Sequence, residues 1–460
     1  MSTRREHDSL GEREVPAEAL YGIHTVRSLR NFNAGGEVVP IEIIHAMALL
    51  KRACARANHA LGLLHDQKAT VIDAACESIL SGRFDDQFPI DIFQAGSGTS
   101  SNMNLNEVIA NLANEALGQP RGERHPVHPN DDVNMGQSSN STFPSAIRVA
   151  AVLLSKSMLR SIRLLITALE AKALEFRNVV KSGRTHLQDA VPMTLGQAFS
   201  AWAHALRKDV VRIERAVETN LELGEGGNAI GTGINTKPEF RASIITDLSA
   251  LSGIPFRIAQ NGIEMTQFLT DQAELSSALR LTAQDIGKIC NDLRLLCSGP
   301  NTGLAEIDLP AVEPGSSIMP GKINPSIVEA TNMAMLQIMG HDHVVQLASA
   351  AGQLELNTHM PVLGLNLVKA MQLMDRACDQ LVDKCIVGIT ANIANCYRHF
   401  EMSGALATIL NPLLGYDRVS ALVVEAIAQN KSTKQIVVDK GILTAEEFEA
   451  LVWGSIRSNL

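Results

Sequence analysis

Aromatic side chains are scarce in this 460-residue chain: 2 Trp, 3 Tyr and 12 Phe, 4% of the total. A core with so few rings must be built from Ala, Leu, Ile, Val and Met, a mix that favours helices packed closely through small residues. Cysteine is also sparse. There are 7, an odd number without Cys-x-x-Cys spacing, so neither a disulfide framework nor a zinc knuckle is expected. The thiols read as reduced, buried small hydrophobes of a cytoplasmic protein, and Cys290 and Cys297, seven apart, are expected to share one helix face. No apolar run reaches membrane-spanning length, and Met1-Ser2-Thr3-Arg4-Arg5-Glu6-His7-Asp8 has no apolar leader segment, so the expectation is a soluble, unsecreted chain without membrane contacts. Basic runs are lacking as well. The net charge is −9 and only the pairs Arg4-Arg5 and Lys51-Arg52 stand out, which argues against a nucleic-acid partner. The 13 histidines show no HExxH or paired carboxylate–histidine spacing, so no metal centre is expected. Gly224-Glu225-Gly226-Gly227 lacks the spacing of a nucleotide-binding loop.

What is present is helical periodicity. Hydrophobic residues make up 45% of the chain, enough for a large core. Residues 1–40 mix charge with Gly and Pro and read as an extended arm with short elements. Over 41–80 apolar positions fall at helical spacing (Ile44, Met47, Leu50, Cys54, Ala57, Leu61). A polar loop, 94–104, leads to a helix predicted from Leu105, and a second loop runs from Glu123 to Ser139. Long apolar-periodic runs then cover 146–180, 192–223, 262–297 and 326–386, separated by loops at 182–191, 224–238 and 298–325. Helices this long imply a bundle and association with copies of the chain. After Gly388 the chain is shorter in period and more polar. The expectation is a mainly α protein with an N-terminal domain over 1–140, a central helical bundle over 141–388 and a small C-terminal domain over 389–460.

Four inter-helix loops carry neutral hydroxyl and amide groups rather than metal ligands. They are Gly98-Thr99-Ser100-Ser101-Asn102, Gln137-Ser138-Ser139-Asn140, Gly183-Arg184-Thr185-His186 and Gly315-Ser316-Ser317-Ile318-Met319-Pro320-Gly321-Lys322-Ile323-Asn324-Pro325. The last holds two glycines and two prolines in eleven residues, which rules out regular structure. Singly, each loop reads as helix capping. Convergent on one point, they make a receptor for carboxylates. A serine bordered by glycine and by backbone N–H groups, with Lys322 nearby, is a candidate for deprotonation.

The last loop resembles, residue for residue, the GSSxMPxKxNP signature of the aspartase/fumarase superfamily of lyases. With the other three loops and the arm Leu10–Thr25, the resemblance covers about residues 8–450. It implies a three-domain fold with a central long-helix bundle, a homotetramer whose sites are each assembled from three subunits, and a small dicarboxylate or amino-acid substrate. By position, it implies that Ser316 is the catalytic base, that Ser317 helps hold the developing anion, and that Lys322 and Asn324 bind the α-carboxylate. Thr99, Ser100, Ser138, Ser139 and Asn140 fall at the positions around the second carboxylate and the leaving group. Thr185 and His186 face the leaving group, and Glu329 partners that histidine. No organic cofactor is implied; magnesium activation is known in the family and is not legible in these residues. Within the superfamily, Ser100 and the stretches Phe88-Pro89-Ile90-Asp91 and Leu187–Met193 resemble aspartases, which implies loss of ammonia from L-aspartate to give fumarate. Gly96-Ser97-Gly98, His128–Asp132 and Gly415-Tyr416-Asp417 resemble fumarases, so hydration of fumarate is the alternative. Ser141 and Met360 stand where both groups usually carry charged residues, which leaves an ammonia- or amine-lyase for a bulkier amino acid as a further alternative.

Overall fold

The computed structural model describes residues 2–457 and is mainly α. It opens with strands β1 (Thr3–Asp8) and β2 (Gly11–Pro16), then helices α1 (Ile23–Asn31), α2 (Ile41–Ala60), α3 (Asp66–Leu80), α4 (Thr99–Ala116) and α5 (Ser139–Glu175). Strands β3 (Val180–Thr185) and β4 (Gln188–Thr194) precede α6 (Leu195–Thr219), β5 (Glu222–Leu223), α7 (Phe240–Ser252), β6 (Arg257–Ile258), α8 (Gly262–Gln267) and α9 (Thr270–Leu296). There follow β7 (Ile307–Asp308), α10 (Ser326–Ser349), α11 (Met360–Lys384), β8 (Thr390–Ala391), α12 (Ile393–Met402), α13 (Ala405–Leu414), α14 (Tyr416–Gln429), α15 (Thr433–Asp439) and α16 (Ala445–Arg457).

The long helices are where the sequence places them in the main, with corrections at their starts, breaks and one loop. Helices α4 and α5 begin at Thr99 and Ser139, ahead of Leu105 and Ala146, because hydroxyl residues that look like loop also serve in a first helical turn. The presumed loop 182–191 is an antiparallel hairpin, β3 with β4. The run 326–386 is two helices, broken between Ser349 and Met360. Cys297, moreover, lies one residue beyond α9 rather than on its face.

The chain forms two compact units: Met1–Met158, Val211–Leu281 and Gln337–Met374 in the first, and Leu159–Val210, Thr282–Leu336 and Asp375–Leu460 in the second. In the first unit the β1–β2 hairpin runs from the pair Thr3–Pro16 to Asp8–Gly11. The Arg4 guanidinium stitches the hairpin to the chain beyond it, donating to the carbonyls of Pro16, Ala17, Ala19 and Tyr21. Val15, Ala19, Ile23 and Val26 form a small buried core beneath, and α2 packs against α3, α4 and α7.

Helix α1 has no cap of its own, and Glu107 of α4 supplies one. Its buried carboxylate accepts the N–H groups of Gly22 (2.9 Å), His24 (2.8 Å) and Thr25 (3.1 Å) and the Thr25 hydroxyl (2.7 Å). Burial pushes this carboxyl above its ordinary range in spite of the bonds from Thr25, His24 and Gly22. Glu107→Ala would leave those donors buried and unpaired, at about 1 kcal/mol or more each. The expected result is a loss of about 3–5 kcal/mol, read as an earlier urea transition. An unchanged midpoint would show that α1 needs no external cap.

In the second unit the β3–β4 hairpin lies against α12, α13 and α16. Val180 of β3 joins a core with Phe400, Leu406, Leu410, Phe448 and Val452. This packing fixes the base of the hairpin and leaves its tip outside.

Candidate active site

Two helix starts meet in the first unit. Thr99 opens α4 and Ser139 opens α5, and their hydroxyl oxygens are 2.9 Å apart. Ser97 closes a triangle, 2.9 Å from Thr99 Oγ1 and 3.4 Å from Ser139 Oγ. The first N–H groups of each helix lack intrahelical partners, and each macrodipole adds partial positive charge at that end. Three hydroxyls between two such ends suit a carboxylate. The turn into α4 needs glycine at 98: its φ is 71°, and a Cβ there would lie 2.2 Å from the Phe143 ring. Ser97 was not among the candidates read from the sequence, although the spacing Gly96-Ser97-Gly98-Thr99 marks it.

Ser100 is buried on the first turn of α4. Ser138 Oγ accepts the Asn140 N–H at 3.3 Å, and the Asn140 amide donates to the Ala229 carbonyl at 2.8 Å. Ser141 is buried and donates to the Ser138 carbonyl at 3.2 Å, so it serves to close the first turn of α5. Met360 is wholly buried at the start of α11.

Behind these residues Asn134 acts as a hub. Its side-chain oxygen accepts from Lys51 (2.8 Å), Asn102 (3.1 Å) and Asn106 (3.2 Å), and its amide donates to the Gln137 carbonyl at 3.2 Å. Sequence reasoning missed it because its partners lie about 30 to 80 positions away. Burial lowers Lys51 to about 8, against the opposing pull of Glu225.

In the second unit Thr185 and His186 sit at the tip of the β3–β4 hairpin, both exposed. Thr185 pairs with Gln188, so the connection is two residues, His186 and Leu187, with φ of 55° and 60°. Two positive φ values match a type I′ hairpin turn, which normally selects Asn-Gly. For a histidine and a leucine the left-handed region costs roughly 1–2 kcal/mol per residue, so the tip must be held by its surroundings.

Ser316 lies on the loop that ends at α10. Its Oγ accepts two backbone N–H groups of its own loop, from Ile318 at 3.2 Å and Met319 at 3.0 Å. The loop is closed on itself: the Gly315 N–H donates to the Lys322 carbonyl at 2.9 Å, and the Asn324 amide donates to the Gly315 carbonyl at 2.6 Å. Gly315 has no room for a side chain, since a Cβ would stand 2.5 Å from the Lys322 carbonyl oxygen. Ser317 and Lys322 are exposed, whereas Asn324 is half-buried. Glu329, in the first turn of α10, stands 3.7 Å from the Arg294 guanidinium; among the described residues no hydrogen bond joins it to His186.

The candidates thus fall into two sets. Thr99, Ser100, Ser138, Ser139 and Asn140 belong to the first unit, and Thr185, His186, Ser316, Ser317, Lys322, Asn324 and Glu329 to the second. One set offers hydroxyls and helix ends; the other offers a hydroxyl with backbone donors, a lysine and a histidine.

Comparison with known proteins fits this geometry. The family model described as lyase matches residues 11–340, and that described as fumarase C C-terminus matches residues 406–453. A class II fumarate hydratase of Thermosynechococcus vestitus is 45% identical over 98% of this chain and 97% of its own. An aspartate ammonia-lyase of Pseudomonas canavaninivorans is 46% identical over 96% of this chain and 94% of its own. Among solved structures, a fumarate lyase:delta crystallin from Brucella melitensis bound to cobalt superimposes with a TM-score of 0.95 at 44% identity, covering 98% of both chains.

Proposed function

As this chain belongs to the lyase family that includes class II fumarases and aspartate ammonia-lyases, we propose that it eliminates ammonia from L-aspartate to give fumarate, with Ser316 as base. The observation that carries this reading is the pair of backbone N–H groups on Ser316 Oγ. Serine is a poor base at its free pKa, and N–H donors aimed at its oxygen favour the alkoxide over the alcohol.

The alkoxide takes the β-proton: an O–H bond forms, a C–H bond breaks, and the electron pair moves into the adjacent carboxylate to give a dianionic aci-carboxylate. Ser317, with the hydroxyls around that carboxylate, receives the charge, which appears only on the way to the transition state, while Lys322 and Asn324 bind the α-carboxylate. The pair then returns to form the carbon–carbon double bond as the Cα–N bond breaks. Ammonia departs neutral from an ammonium group, so acid help from His186 is optional for this substrate and required for water. Thr99, Ser138, Ser139 and Asn140 hold the second carboxylate and the leaving group, and every step uses this chain's own residues without a cofactor. What supports aspartate over malate is Ser100, where fumarases carry Gln.

The site is proposed to be completed in a homotetramer, in which Glu329 of one copy supports His186 of another. The exposed apolar side chains of Met333, Leu336 and Leu347 along α10 support burial of this helix in an assembly. The division at residues 140 and 388 is proposed with it. Hydration of fumarate is the second reading, supported by relatives of equal similarity named fumarate hydratase.

Ultraviolet absorbance of fumarate decides between them, with purified protein given L-aspartate or L-malate. A rise with aspartate alone is the expected result. A rise with malate alone would make the enzyme a hydratase. Silence with both from folded protein would sink both readings and turn attention to Ser141 and Met360 as marks of a bulkier amine substrate.

A further inference from the structure

The strained tip that carries His186 rests on one buried carboxylate far away in sequence. Glu306 is fully buried just before β7. Its Oε1 accepts from Arg184 Nη2 at 2.6 Å and from His399 Nδ1 at 3.2 Å. Its Oε2 lies 3.2 Å from the Lys181 ammonium. Lys181 and Arg184 both belong to β3, and Arg184 immediately precedes Thr185 and His186. Between them the ladder is irregular, with a register shift from Ser182 to Arg184, so backbone pairing is weakest where the tip begins.

The Glu306 main chain is pinned just as firmly. Its N–H donates to the Leu296 carbonyl at 2.8 Å at the end of α9, and its carbonyl accepts the Asn392 N–H at 2.9 Å. Burial alone would raise the carboxyl above its ordinary range, but the Arg184 hydrogen bond and the Lys181 charge overcome it and hold the group ionised. A rigid anchor therefore sits ten residues ahead of Ser316, with a charge-assisted bond to the residue preceding Thr185.

We propose that Glu306 is a positioning residue which, through Arg184, holds the left-handed tip carrying Thr185 and His186 in its working conformation. The role deepens the lyase reading and rests on it for its effect on turnover. Glu306 touches no substrate; it acts on the backbone of the residues that do. Two turn residues that disfavour their own conformation need an external tie, and Arg184 is the residue nearest the tip that makes one.

Arg184→Gln tests this without leaving Glu306 alone, since Lys181 and His399 still face it. Two readouts are needed on the full-length protein. Amide hydrogen exchange over 183–190 should rise tenfold or more, with α6 unchanged. With whichever of L-aspartate or L-malate the unaltered enzyme converts, kcat should fall about 10- to 100-fold while KM moves less than threefold, and Arg184→Lys should restore part of the loss. Glu306→Gln combined with Arg184→Gln should be no slower than the worse single variant, because both remove the same tie. Unchanged exchange at the tip overturns the proposal whatever the substrate. So does a kcat within twofold of the unaltered enzyme, even if the variant melts earlier, for that would make the cluster structural only. An unaltered enzyme silent with both substrates counts against the lyase reading instead, and the exchange measurement still decides the role of Glu306.

Discussion

Ser316→Ala should reduce turnover by about 10⁴-fold, the upper end of what a positioned base contributes, and leave the fold as it is. The size of the effect follows from the chemistry. A proton next to a carboxylate is only weakly acidic, so the rate depends on the base that takes it. Ser316 Oγ holds two N–H donors of its own loop, and both lose their acceptor in the variant. The loop itself survives, because its closure runs through Gly315, Lys322 and Asn324. Far-ultraviolet circular dichroism and the state of assembly should therefore match the unaltered protein. The measurement is kcat at saturating substrate over several hours, long enough to see a residual rate 10⁴ times slower. A variant within tenfold of the unaltered enzyme would take the base role from Ser316 and leave Ser317 or His186 to be examined.

The long helices were legible because apolar residues recur at i, i+3, i+4 and i+7 over many turns, a signal that short loops cannot imitate. Their starts were not. Thr99-Ser100-Ser101-Asn102 and Ser138-Ser139-Asn140-Ser141 have the composition of caps and turns, and only tertiary packing makes them the first turns of α4 and α5. That early start bears on the proposed function, since it puts Thr99 and Ser139 at the ends of two helices, where N–H groups lack intrahelical partners. The hairpin tip was hidden for a related reason. Arg184–Asp189 contains no Asn-Gly or Asp-Gly and puts His186 and Leu187 at the turn, so local propensity argues against a two-residue turn. What holds it is Glu306, more than a hundred residues away, and single-sequence reading has no access to such a partner. The loop Gly315–Pro325 is the opposite case: Gly, Pro and Ser dictate its irregular character locally, and the structure has it as a loop. Within one chain Glu329 faces Arg294; the proposed pairing with His186 joins two copies.

Lys322→Gln should lower kcat/KM by about 10²–10³-fold. Between Gly315 and Pro325 it is the only cation, and its ammonium is exposed, with no carboxylate paired to it among the described residues. Its backbone, by contrast, is fixed: the carbonyl accepts the Gly315 N–H at 2.9 Å, and the N–H reaches the Met319 carbonyl at 3.4 Å. The loop thus carries base and cation as one body, while the lysine stem is free to meet a ligand. An ammonium paired with the α-carboxylate orients the β-proton toward Ser316, and its charge on the same loop favours the alkoxide that removes it. Truncating one member of such a pair, once desolvated, costs about 2–5 kcal/mol, and the stated range, about 2.7–4.1 kcal/mol at 1.36 kcal/mol per tenfold, lies within it. Part of the loss should appear in KM, since the carboxylate is bound before reaction, and part in kcat, since the orientation of the β-proton and the alkoxide both depend on the ammonium. Lys322→Arg keeps the charge but replaces a compact ammonium by a planar fork, so it should recover binding better than rate. Steady-state kinetics on the two variants separates these contributions. Activity of Lys322→Gln within fivefold of the unaltered enzyme would mean that the ammonium stays in solvent during catalysis, and that backbone donors and Asn324 alone hold the carboxylate.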